Sequence, residues 1–161
     1  MIRVQHQDFD IGSEIARLRA GRTDIGALVA FAGIVRDHAS NAAISAMTLE
    51  HYPGMTEREL ERIENEARAR WPLTGSLIIH RVGRLEAGDN IVLVLTASAH
   101  RQAAFEAAAF LMDYLKTRAP FWKKEEGPGQ AGGWVDAREA DDAAAARWME
   151  TAMAEPATVR S

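Results

Sequence analysis

Basic side chains bracket one apolar stretch of this chain, His100 to Glu125, which reads HRQAAFEAAAFLMDYLKTRAPFWKKE. His100 and Arg101 open it, Lys116 and Arg118 follow the apolar run, and Lys123 and Lys124 stand beside Phe121 and Trp122. The chemistry that such groups do is anion binding. Cations in the last turn of a helix complement its dipole, which accounts for Lys116 and Arg118 taken alone. It does not account for His100 and Arg101 at the positive end of the same helix, nor for a lysine pair next to two aromatics. An anionic ligand explains both placements; a solvated charged face is the other reading that the residue types leave open. Arg36 presents the same choice. It begins the polar stretch Asp37-His38-Ala39-Ser40-Asn41, where its fork of donors suits a planar anion and a solvated arginine is the alternative.

Other chemistry is bounded by what is missing. The chain has no cysteine, which excludes disulfides, thiolate metal sites, and any sulfur or acyl group carried on its own thiol. Sulfur chemistry would need a donor from elsewhere. Glu50 and His51 are neighbours in a predicted strand and point to opposite faces, which favours structural roles over a shared metal site. The run Gly127-Pro128-Gly129-Gln130-Ala131-Gly132-Gly133 has no Gly-Lys-Ser/Thr ending, so it reads as a flexible loop and not as a phosphate cradle.

The elements that must position these residues follow from periodicity. Ala103, Ala107, Phe110, Leu111, Tyr114 and Leu115 recur at the spacing of a buried helical face, and Pro120 ends that helix near Arg118. Ile2 and Val4 mark a short strand. Asp10 caps a helix carrying Ile11, Ile15 and Leu18 on one side, with Gly21 ending it. The nearly continuous apolar run GALVAFAGIVR, Gly26 to Arg36, predicts a central strand buried on both faces, with Gly33 allowing close approach of another backbone. Met47 to Tyr52 is a strand ended by Pro53-Gly54. A capping box of Thr56 and Glu59 starts a helix whose face is Leu60, Ile63, Ala67 and Trp71 and which Pro72 stops. Leu77 to Val82 and Ile91 to Ser98 read as a hairpin turning at Gly88-Asp89, and its second strand delivers His100 and Arg101 to the helix start. Trp134-Val135 is a short strand at most, Asp141 to Met153 is helix-prone, and residues from Glu155 onward read as a frayed tail.

Length and composition bound the class. The 161 residues suffice for one domain with a sizeable core, and no repeat or linker divides them, so a single domain over 1–154 is expected. The formal net charge of -4 argues against non-specific nucleic-acid binding while permitting a local basic pocket. No apolar run is long enough to span a bilayer and the N-terminus lacks the pattern of a signal peptide, so a cytoplasmic protein is expected.

Six stretches in order carry a resemblance: FAGIVR (Phe31 to Arg36), LEHYPGMTE (Leu49 to Glu57), HRVG (His80 to Gly83), SAHR (Ser98 to Arg101), MDYLKTRAPFWKKE (Met112 to Glu125) and WVDARE (Trp134 to Glu139). In these the chain closely resembles the large, catalytic subunit of molybdopterin synthase, over most of its length. The resemblance implies a single α/β (α+β) domain of the hammerhead type, a mixed or antiparallel sheet packed by helices. It implies a homodimer within a heterotetramer, a small ubiquitin-like sulfur carrier docked at each end. The reaction implied is a sulfurtransferase step: the thiocarboxylate at the carrier's C-terminus supplies sulfur to cyclic pyranopterin monophosphate, and two transfers make the dithiolene of molybdopterin. The missing cysteine fits, because the sulfur arrives on the partner. No metal or other cofactor of this subunit is implied.

Carried over position by position, the family's essential lysines fall on Lys116 and Lys123, the catalytic pair. Its substrate-binding residues fall on Arg36, His100 and Arg101, with Lys124, Glu125 and Arg138 completing the set and Arg138 expected from across the dimer. Lys124 stands where some relatives have arginine, so its charge is what is expected to matter. Ile34 stands where some have lysine, and no side-chain role is carried over there. The physical reason for clustered cations is that a phosphate-bearing substrate and an anionic thiocarboxylate must meet. A lysine beside them can polarise the thiocarboxylate carbonyl, act in acid-base catalysis or take the acyl group as an isopeptide. The alternative function is a non-catalytic docking module for a ubiquitin-like tail. A phosphate-ester hydrolase is weaker, since no metal-ligand cluster or carboxylate pair accompanies the cations.

Overall fold

In the computed structural model, which describes residues 1–39, 42–128, 134–135 and 139–154, the chain alternates strands with four helices. The order is β1 (Ile2–Gln5), α1 (Ile11–Arg19), β2 (Ala27–Ile34), β3 (His38–Ala39), β4 (Ala42–Ala43), β5 (Ala46–His51), α2 (Met55–Arg70), β6 (Leu73–Arg81), β7 (Gly83–Glu86), β8 (Asn90–Ser98), α3 (Arg101–Arg118), β9 (Phe121–Glu126), β10 (Trp134–Val135) and α4 (Glu139–Ala154). Two four-stranded sheets result, β1-β6-β8-β2 and β10-β9-β5-β7, with β3 and β4 forming a separate two-stranded ribbon. Among the described residues only β1 against β6 is a parallel pair. The α+β class expected from the sequence is the one observed.

Alternation along β6 and β8 sets the layers. Ile78, Val92 and Val94 point to one face, where Leu60 and Ile63 of α2 and Phe110, Leu111 and Tyr114 of α3 close over them. Leu77, Ile79, Leu93 and Leu95 point to the other, covered by Phe9 and by Ile11, Ile15 and Leu18 of α1. Burial on both faces removes these side chains from water at about 1.5–3 kcal/mol each, so β6 and β8 form the spine of the sheet. The hydroxyl of Thr96, buried in β8, donates to Ala104 O at 2.7 Å and ties the start of α3 to the spine. At the far side Trp148 of α4 packs edge-on against Trp71 and Phe110 and donates its indole N–H to Asp113 of α3 at 2.7 Å.

The structure departs from four sequence expectations. The apolar run at β2 is an edge strand pairing only with β8 among the described residues, and Phe31 and Ile34 are 40% and 52% exposed. Its small side chains make it apolar without giving it the volume of a core strand, and the central place goes to β8. Nor does Gly33 admit a backbone: a Cβ there would meet Val92 Cγ1 at 2.7 Å, whereas at Gly26 it would meet the carbonyl oxygen of Ala99 at 2.0 Å. Strands β6 and β8 do pair antiparallel, but β7 intervenes and crosses to the other sheet before Gly88, at φ 91°, turns the chain back. Lastly, α2 is capped at Gly54, whose N–H donates to Glu57 Oε2 at 2.7 Å. Thr56, expected as the cap, is instead fully buried: its Oγ1 accepts from Tyr52 N–H at 2.9 Å and donates to Pro120 O at 3.0 Å. The stretch from Gly129 to Gly133 lies outside the described residues, as does the tail from Glu155.

Candidate active site

The second sheet and the end of α3 enclose a cavity of about 460 Å³. Pro120 breaks α3, and the chain re-enters at once as β9, so the last turn of the helix and the first half of the strand face one another. The Thr56 hydroxyl, bonded to Pro120 O, holds that corner. Alternation along β9 then sends Phe121, Lys123 and Glu125 into the cavity, and α3 contributes Met112, Leu115 and Lys116. Arg36 enters from beyond the end of β2, His80 from the end of β6, and Asp141 from the first turn of α4. Apolar Met47, Leu49 and Val92 complete the lining.

Each lysine has a carboxylate neighbour. Lys123 Nζ lies 3.1 Å from Glu125 Oε1, and Glu125 is buried; Lys116 Nζ lies 3.7 Å from Asp141 Oδ1. An arriving anion competes with these carboxylates for the ammonium groups. Lys123 is 30% exposed, so its charge acts through a medium less screening than water. His80 differs from every other polar group here. Its ring stacks on Phe121, with centroids 3.8 Å apart and planes within 17°, and it is 4% exposed. Burial pushes its pKa down to about 4, outweighing the opposing effect of its bond to the Arg81 carbonyl. Because that carbonyl, 2.8 Å from Nδ1, can only accept, Nδ1 carries the proton and the neutral ring presents Nε2 as an acceptor.

A family model described as MoaE protein matches residues 4–118, which include Arg36, His80, His100, Arg101 and Lys116. The chain belongs to the MoaE protein family. It is 60% identical over 151 residues to the molybdopterin synthase catalytic subunit of Mesorhizobium japonicum, covering 93% of this chain and 94% of that one. Among solved structures it is similar to the molybdopterin biosynthesis MoaE protein of Burkholderia ambifaria, with a TM-score of 0.79 and 55% identity over 92% of this chain and 97% of that one. It is also similar to the X-ray crystal structure of molybdopterin synthase from Staphylococcus aureus, with a TM-score of 0.75 and 29% identity over 83% and 96%.

Within this MoaE-family chain, the residues singled out in the sequence divide into three groups. Arg36, Lys116, Lys123 and Glu125 come together in the cavity. Lys124 does not line it, because neighbouring strand residues face opposite ways and Lys124 shares its face with Trp122. His100 and Arg101 stand at the other end of α3 from Lys116, about 24 Å away at 1.5 Å per residue, too far to join the same pocket within one chain. Arg138 lies outside the described residues. Three polar lining residues carried no role from the sequence: His80, Asp141 and the exposed His38. A histidine closing an apolar strand run is a detectable signal for the first. Nothing local marks Asp141, which reaches the cavity only because α4 folds back onto α3.

Proposed function

We propose that this chain is the catalytic subunit of a molybdopterin synthase, a sulfurtransferase of molybdenum cofactor biosynthesis. It moves sulfur from the C-terminal thiocarboxylate of a small ubiquitin-like partner to cyclic pyranopterin monophosphate. The observation that carries the reading is the cavity itself: Arg36, Lys116 and Lys123 converge there in a chain with no thiol of its own. Such a pocket suits two anions that must meet and react while the sulfur stays on the donor. In this reading Arg36 grips the phosphate with its fork of donors. Lys116 and Lys123 exchange their carboxylate neighbours for the thiocarboxylate, hold its sulfur toward the pterin carbons, and offset the charge that develops on its carbonyl oxygen when water then cleaves the acyl–sulfur bond and leaves the sulfur on the pterin and a carboxylate on the partner.

The distant His100 and Arg101 enter through a second copy of the chain. They sit beside the Ala27 end of β2, where Gly26 N–H bonds Ser98 O at 3.0 Å, whereas Arg36 follows its other end. Strand β2 is eight residues, about 26 Å, nearly the separation between the two cation groups. Its edge away from β8, unpaired among the described residues, carries exposed Phe31 and Ile34 at the cavity rim. Two copies apposed antiparallel along this edge exchange ends, which brings His100 and Arg101 of one toward Arg36 of the other. A homodimer with two shared sites, each receiving one small partner, is the assembly proposed, in the cytoplasm.

The test is to combine the purified protein, the thiocarboxylated partner and cyclic pyranopterin monophosphate, and to follow the dithiolene product through its oxidised fluorescent derivative. Product formation without added metal is expected. Tight partner binding with no product would refute the catalytic reading and leave a docking module.

A further inference from the structure

The proposed reading leaves one buried polar lining residue, His80, without a task. Arginine and lysine side chains can only donate hydrogen bonds, so Arg36, Lys116 and Lys123 serve the acceptors of a ligand, its anionic groups above all, and none of its N–H groups. The carboxylates of Glu125 and Asp141 accept, but each carries a charge that repels a phosphate. A heterocycle that bears N–H groups as well as a phosphate needs an acceptor without charge. His80 has that character. Its Nδ1–H is committed to Arg81 O, and Nε2 has no protein partner among the described residues. Of the described side-chain polar atoms that lack a partner, only Arg3 Nε and Thr74 Oγ1 are sealed from solvent, so Nε2 of His80 is not sealed, and His80 is a lining residue of the cavity. The ring cannot swing away without losing its face-to-face contact with Phe121 and its bond to the backbone.

Resting on the proposed function above, we propose that His80 is a positioning residue for the substrate, its Nε2 accepting a hydrogen bond from a ring or amino N–H of the bound pterin. The phosphate is held by cations at one side, the heterocycle by a neutral acceptor at the floor, and the two contacts together set the orientation in which the reacting carbons face Lys116 and Lys123. Neutrality matters here: a protonated imidazole would present a donor where the ligand also presents one.

The experiment measures the affinity of cyclic pyranopterin monophosphate by calorimetry for the protein assembled with a partner ending in an ordinary carboxylate, so that no turnover intervenes. His80→Phe keeps the ring and the stack but removes the acceptor, and should weaken binding roughly tenfold, since the pterin N–H is left unsatisfied. His80→Gln, whose amide oxygen can reach the place of Nε2, should stay within about threefold of the original chain. Wild-type affinity in a folded His80→Phe overturns the inference, as does a His80→Gln as weak as His80→Phe, which would mean a packing role. If His80→Phe does not fold, His80→Leu serves as the acceptor-free variant and is judged the same way. Arg36→Ala, measured alongside, separates the two levels: unchanged affinity there refutes the cavity as the substrate site, whereas a loss there with none in His80→Phe refutes the role of His80 alone.

Discussion

Lys123 and Lys124 are adjacent, equally charged and equally prominent in the sequence, yet strand alternation gives only Lys123 to the cavity. Replacing each in turn by alanine therefore tests the site with an internal control. A unit charge about 4 Å from an anion is worth about 1 kcal/mol in water and about 4 kcal/mol at the effective dielectric of a protein surface site. Lys123 is 30% exposed and paired with Glu125 in the free protein, so part of that gain replaces an existing contact. A loss of about 2–3 kcal/mol in transition-state stabilisation is expected, which is roughly 30- to 150-fold in kcat/KM. Lys124→Ala should change kcat/KM by less than about threefold, since charges on the solvated face are screened. Single-turnover product formation, with partner affinity measured separately, reads both values. Equal losses in the two variants would refute the assignment by strand alternation, and a normal Lys123→Ala would remove that lysine from the mechanism.

The proposed dimer with shared sites is open to a mixing test: Arg36→Ala and Arg101→Ala should each be nearly inactive, yet refolding the two together should restore about a quarter of wild-type activity, because half the dimers would be mixed and each would have one intact site; no recovery would refute the exchange of ends across β2. Thr56→Val removes the hydroxyl that bridges Tyr52 N–H and Pro120 O, and urea unfolding should show a loss of about 1–3 kcal/mol together with reduced activity, because the corner between Lys116 and Lys123 loosens; unchanged activity would mean that the corner holds without it. His80 stays neutral in the folded protein down to about pH 4, whereas in the unfolded chain it takes up a proton below its ordinary value of 6.5. Its contribution to stability is thus complete above pH 6.5 and falls away between 6.5 and about 4, by up to about 3 kcal/mol. The stability gap between the wild-type chain and His80→Phe should narrow over that window, and a constant gap would refute the buried neutral histidine.

Local physics made much of this protein legible in the sequence. The 3.6-residue period of Phe110, Leu111 and Tyr114 and the stop at Pro120 defined α3, because helix periodicity and proline's missing N–H act within a few residues. Charge at the wrong end of that helix marked His100 and Arg101, and absent cysteine bounded the sulfur chemistry. What only the tertiary structure decided are relations between segments far apart in the chain. An apolar run such as β2 can be central or peripheral, and the choice depended on which strand offered larger side chains to both layers, which β8 did. Thr56 looked like a cap because its sequence neighbours suit one; its actual partner is Pro120, 64 residues on. Residue type alone does not separate Lys123 from Lys124; forming β9 against β5 gave the two opposite faces. His80 and Asp141 came to line the cavity only when β6, α3 and α4 closed on it. Composition and spacing state which chemistry a chain can offer, whereas packing determines which of those groups share a dielectric, and electrostatic work is done only among groups that do.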